Sequence, residues 1–130
     1  MKIRSVLCAG MLASLTTMSF ALGGVYTTVS SLDGNAVVGQ EAAFKVKYRW
    51  FTDQERSGKV FYTVAGTNCN GSADIDRHSG LLPIFGELDI KCTFDKSAIF
   101  ATDTVLQLYD GDTKKEVSEH QGGTITVTNA

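Results

Sequence analysis

Residues 41–51 constrain this chain more than any other stretch. Ala42, Phe44, Val46, Tyr48 and Trp50 alternate with Ala43, Lys45, Lys47, Arg49 and Phe51. Period two with a basic second face is the mark of a half-buried β-strand. A helix over the same residues would set Phe44 opposite Val46 and bring Lys45 and Arg49 round to the face of Ala42. The aromatic and β-branched content agrees with the extended reading.

The same logic predicts further strands. Over residues 86–94, Leu88, Ile90, Cys92 and Phe94 point one way, and Glu87, Asp89, Lys91 and Thr93 the other. Residues 25–31, 104–109 and 123–128 are rich in Thr, Val, Leu and Tyr. Residues 59–65 are apolar on both faces, which suits a central strand. Short strands are expected at 36–38 and, as an edge, at 115–119. Turn signals stand between these runs: Asp33-Gly34-Asn35, Ser57-Gly58, Asn70-Gly71, Asp110-Gly111-Asp112 and Gln121-Gly122-Gly123. No run of ten or more residues beyond the first 21 has helical periodicity. With 130 residues there is room for one core. The prediction is an all-β chain: a single antiparallel β-sandwich of about seven or eight strands, with a small barrel as the alternative.

The first segment reads as an address. Lys2 and Arg4 precede an apolar run over 6–15, and Ser19-Phe20-Ala21 places small residues where a signal peptidase cuts. Residues 1–21 are therefore expected to be a secretory signal, with a cut after Gly23 as the other option, and 22–130 the exported domain. The run is shorter than the roughly 20 apolar residues of a membrane span and is broken by Ser14, Thr16 and Thr17, so no transmembrane anchor is expected. Removing Lys2 and Arg4 from 12 basic residues leaves 10 against 14 acids, a net charge of −4. That balance argues against nucleic acid as a partner.

Export changes the meaning of the cysteines. Cys8 leaves with the signal, and Cys69 and Cys92 remain as one pair. In an oxidising compartment the expected outcome is one disulfide between them. The competing reading, two ligands of a metal site, lacks a supporting CxxC or His spacing.

Val37-Val38-Gly39-Gln40-Glu41, followed by Phe44, Val46 and Tyr48, resembles the entry to an immunoglobulin-like sandwich, where a glycine-containing turn feeds strand B. The resemblance covers about 15 residues. It implies an immunoglobulin-like architecture by analogy and no family membership. Two features depart from the antibody pattern. This strand B carries no cysteine, and Trp50 lies at its end rather than on strand C.

Catalytic signatures are missing: there is no G-x-S-x-G elbow, phosphate loop, dinucleotide fingerprint or H-E-x-x-H. The histidines are His78 and His120. Asp74, Asp76 and His78 share one parity, so an extended 73–78 would aim two carboxylates and an imidazole the same way. That is a weak metal-site candidate set against an ordinary polar edge. Asp110, Asp112 and Glu116 fail the calcium-loop pattern, because Lys114 and Lys115 occupy the fifth and sixth positions. No cofactor is expected.

The irregular stretch 79–86 places Leu81, Leu82, Ile84 and Phe85 around Pro83, between Gly80 and Gly86. Pro83 donates nothing to a ladder, so this is not the middle of a central strand. Those side chains either close the end of the sandwich or form an exposed apolar loop. The functional expectation is an exported, non-catalytic interaction module of the periplasm or cell exterior. Its contacts are Leu81, Leu82, Ile84 and Phe85, with Trp50 and Phe51 as lesser candidates. Its partner is another protein, a glycan or a lipid surface. The narrower versions are an inhibitor or immunity-type protein against an envelope or secreted hydrolase, and a structural or adhesive surface subunit. The rival class is a hydrolase using His78 or His120.

Overall fold

The structure, a computed structural model, describes residues 26–52, 56–78, 83–111 and 114–130, the side chains of 76–78 aside. The expected signal over 1–21 lies outside the described residues, as do Leu81 and Leu82. Among the described residues no helix is long and apolar enough to cross a membrane.

Among the described residues eight strands follow in chain order: β1 (Tyr26–Val29), β2 (Gly34–Val37), β3 (Glu41–Phe51), β4 (Arg56–Val64), β5 (Asn70–His78), β6 (Ile84–Thr93), β7 (Ala98–Asp110) and β8 (Lys114–Thr128). They form two sheets, ordered β1-β3-β6 and β2-β8-β7-β4-β5. Their inner faces share one core, to which Phe44, Val46, Trp50 and Ile90 come from the first sheet and Val60, Val64, Leu106, Leu108 and Ile125 from the second. The described residues are all-β, in two sheets that share this core, and alternation explains the burial in both. On β3, Phe44, Val46 and Trp50 are buried while Lys45, Lys47 and Arg49 are exposed. On β7, Phe100, Thr102, Thr104, Leu106 and Leu108 are buried at every second position.

The expectation of a wholly antiparallel sandwich needs one correction: β2 runs parallel to β8. Between β1 and β2 the chain crosses from one sheet to the other instead of turning back as a hairpin. The crossing is pinned by buried hydroxyls of β7. Thr104 Oγ1 donates to the Ser30 carbonyl at 2.8 Å, and Thr102 Oγ1 donates to the Leu32 carbonyl at 2.7 Å. Leu32 is fully buried at the centre of the crossing. Buried carbonyls that leave a ladder need such partners, because an unsatisfied one costs about 1–3 kcal/mol.

Several boundaries also differ from the sequence reading. Gln121-Gly122-Gly123 is not a turn: β8 runs straight through it, paired with Thr102, Asp103 and Thr104. The expected edge strand 115–119 is the first half of β8. Ser57-Gly58 lies inside β4, and Asn70-Gly71 opens β5. In each case a long ladder with a well-packed neighbour overrides local turn preference.

Cys69 and Cys92 form the expected disulfide, with their Cα atoms 5.8 Å apart. Cys69 directly precedes β5 and Cys92 lies on β6, so the bridge joins an edge strand of one sheet to an edge strand of the other.

Candidate interaction surface

The outer face of the three-stranded sheet is organised by register. Arg49 on β3 stands opposite Thr28 on β1 and Phe85 on β6. One step along, Phe51 stands opposite Tyr26. Cross-strand partners share a face, so Tyr26, Arg49, Phe51 and Phe85 emerge together at one end of this sheet. Phe85 is 66% exposed, and Phe51 and Tyr26 are half-buried. The Arg49 guanidinium carbon lies 5.2 Å from the Tyr26 ring centroid and 6.0 Å from that of Phe85. Its Nη2 also donates to the Tyr26 hydroxyl at 2.8 Å. A planar cation between two rings is held by cation–π attraction on both sides.

At the other end of the same face the chemistry is ionic. Lys45 Nζ reaches Glu87 Oε1 at 3.2 Å and Asp89 Oδ1 at 3.0 Å. Lys47 Nζ lies 3.9 Å from Glu87 Oε2. Hydrogen bonds that Lys45 donates to Asp89 and then Glu87 push its amine above its ordinary pKa.

The sequence-derived candidates divide accordingly. Phe85 and Phe51 belong to the exposed face, carried on β6 and β3 rather than on a loop. Ile84 also starts β6, half-buried and packed against the core. Trp50 is corrected to a core residue, 1% exposed. Its parity on β3 turns it inward, stacked 6.2 Å from Tyr48. Tyr26 and Arg49 are not among the sequence-derived site candidates. The only hint was the third basic residue in the Lys45, Lys47, Arg49 series, and its aromatic company depends on strand pairing.

The polar candidates lie elsewhere. Asp74 is exposed on β5, 3.6 Å from Lys59 Nζ across the β4–β5 pair. Asp76 and His78 continue that strand, with side chains outside the described set. Among the described residues no three or more His, Cys, Asp or Glu gather into a group able to hold a metal ion. His120 Nδ1 lies 3.7 Å from Asp103 Oδ2, both well exposed on the outer face of the larger sheet. Glu116 reaches Arg56, whose side chain is 7% exposed, with Oε1 3.0 Å from Nη2 and 3.2 Å from Nε.

No protein-family model matches this sequence, and none of the curated proteins does. Among solved structures, the chain is similar to the CARDB domain of a Pyrococcus furiosus protein, crystallised in complex with di-metal ions. The TM-score is 0.54 at 12% identity, over 87% of this chain and all of that domain. The likeness is one of fold.

Proposed function

We propose that this chain is an exported interaction module with immunoglobulin-like architecture, binding a partner protein outside the cytoplasm through Tyr26, Arg49, Phe51 and Phe85. Three features favour the architecture: the early switch between sheets, the parallel β2–β8 pair, and a larger sheet ordered β2-β8-β7-β4-β5. The disulfide fits an oxidising compartment, and with it the secretory signal expected at 1–21.

The observation that carries the binding role is Phe85, 66% exposed on a strand paired along its length with β3, beside an aromatic-flanked arginine. Aromatic residues and Arg are the side chains that most often dominate protein interfaces. A rigid strand presents them without the ordering cost of a loop. Binding is favoured over hydrolysis, for which His78 and His120 are the remaining candidates. An inhibitor or immunity-type role, in which the partner is a hydrolase, is contained within this reading.

The test is retention of a specific protein from envelope and culture-supernatant extracts by the oxidised chain. The Phe85→Ser variant is expected to lose that protein while keeping its melting temperature. Equal retention by both forms would move the contact away from this face. A marked fall in stability would make Phe85 a structural residue.

A further inference from the structure

We infer that the Tyr26–Arg49–Phe85 cluster receives a carboxylate set beside an apolar side chain, carried on an acidic–apolar segment of the partner protein; this rests on the reading of that face as the contact surface.

The argument is one of charge. Three cations, Lys45, Lys47 and Arg49, stand in a row on the outer face of β3. Lys45 is neutralised by Glu87 and Asp89, and Lys47 faces Glu87. Arg49 meets no carboxylate among the described residues; its polar partner is the neutral hydroxyl of Tyr26. A guanidinium has five N–H donors, and Tyr26 accepts from one nitrogen. The remaining donors match the two oxygens of a carboxylate, the geometry in which such pairs are strongest. The flanking rings already hold the guanidinium in place, so little side-chain freedom remains to be lost on binding. Phe85, opposite Arg49 in the ladder, supplies apolar area for a side chain next to the carboxylate.

The surroundings favour a protein segment over other anions. A sugar needs many hydrogen bonds, and beside Arg49 the neutral polar side chains on this face are Thr28 and Tyr26. An anionic membrane would meet Glu87 and Asp89 on the same face of β6.

Selection from a displayed library of random 12-residue peptides tests this, using protein expressed from the full-length chain. The parent is expected to enrich Asp or Glu within two residues of Leu, Ile or Phe. Arg49→Gln should lower the acidic enrichment at least about fivefold while keeping the apolar one. Arg49→Glu should invert the preference to Lys and Arg, and Phe85→Ser should abolish enrichment. Unchanged Trp50 emission in each variant shows that the fold is kept. An apolar preference without an acidic one, or an acidic preference that survives Arg49→Gln, overturns the inference and leaves the contact surface standing. No enrichment by the parent, or enrichment untouched by Phe85→Ser, overturns both. Binding of carboxylated oligosaccharides or phosphatidylserine vesicles in place of peptides, lost in Arg49→Gln, overturns the choice of a protein partner.

Discussion

The indole of Trp50 occupies the space that any side chain at position 58 would need. A Cβ built on Gly58 would lie 2.6 Å from Cη2 and 2.7 Å from Cζ3 of that ring. Trp50 belongs to the three-stranded sheet and Gly58 to the five-stranded one, so this contact sets how closely the two sheets approach there. Gly58→Ala is therefore expected to destabilise the protein by about 1–3 kcal/mol through overpacking. Urea denaturation followed by Trp50 emission reads the loss. A variant as stable as the parent would show that the sheets shift apart freely.

The disulfide closes a loop with a sequence separation of 23 between two edge strands of different sheets. In the chain-entropy account, removing it costs about 3 kcal/mol. A Cys69→Ser/Cys92→Ser double variant should show this drop in chemical denaturation, and the parent should lose a comparable amount under reducing conditions. A loss only under reduction would point to an effect of the reductant instead.

Arg56 and Glu116 are brought together by irregularities in two ladders. The β7–β8 register shifts between Leu108 and Tyr109, which leaves Glu116 without a partner on β7, and β4 shifts between Arg56 and Gly58. The pair is largely buried, with side chains 7% and 21% exposed, so deleting the carboxylate removes charge-assisted hydrogen bonds from a desolvated guanidinium. Glu116→Ala is expected to cost on the order of 2 kcal/mol, and combined with Arg56→Met the loss should be smaller than the sum of the two single losses. A double-mutant cycle on melting temperature measures the coupling, and additive losses would refute it.

Asp33 anchors the crossing between the sheets. Hydrogen bonds from the Ser31 hydroxyl and then the Thr124 backbone N–H hold its carboxyl below the ordinary value of 3.8. A lowered folded-state pKa contributes stability that is complete above the unfolded value and is lost as pH falls through the folded one. Asp33→Asn should therefore be less stable than the parent at pH 7, with the gap narrowing below about pH 4. The group is mostly solvent-exposed, so the effect is modest and weakens in salt. Urea midpoints at pH 7 and pH 3 test it, and a gap of constant size would rule out the carboxylate.

Local periodicity accounts for most of what was legible in advance. The alternation over Glu41–Phe51 coincides with β3 from end to end. The alternation after Gly86 matches most of β6, and the Cys69–Cys92 pairing followed from counting cysteines with Cys8 set aside in the expected signal. These features depend only on which side of an extended backbone a residue occupies. Trp50 shows where that stops. Its place at the end of a strand suggested a surface aromatic, yet it is 1% exposed because Gly58, on another strand and in the other sheet, leaves room for it.

By itself, then, the sequence determined that the chain forms strands, which face of each carries the apolar residues, and that one disulfide closes it. The tertiary structure alone decided the neighbours. It made β2 run parallel to β8, carried β8 through two glycines, and set Tyr26 and Phe85 on either side of Arg49. The reason is physical: a period of two specifies a face, whereas a partner and its register come from long-range ladders and from how two sheets fit across a shared core.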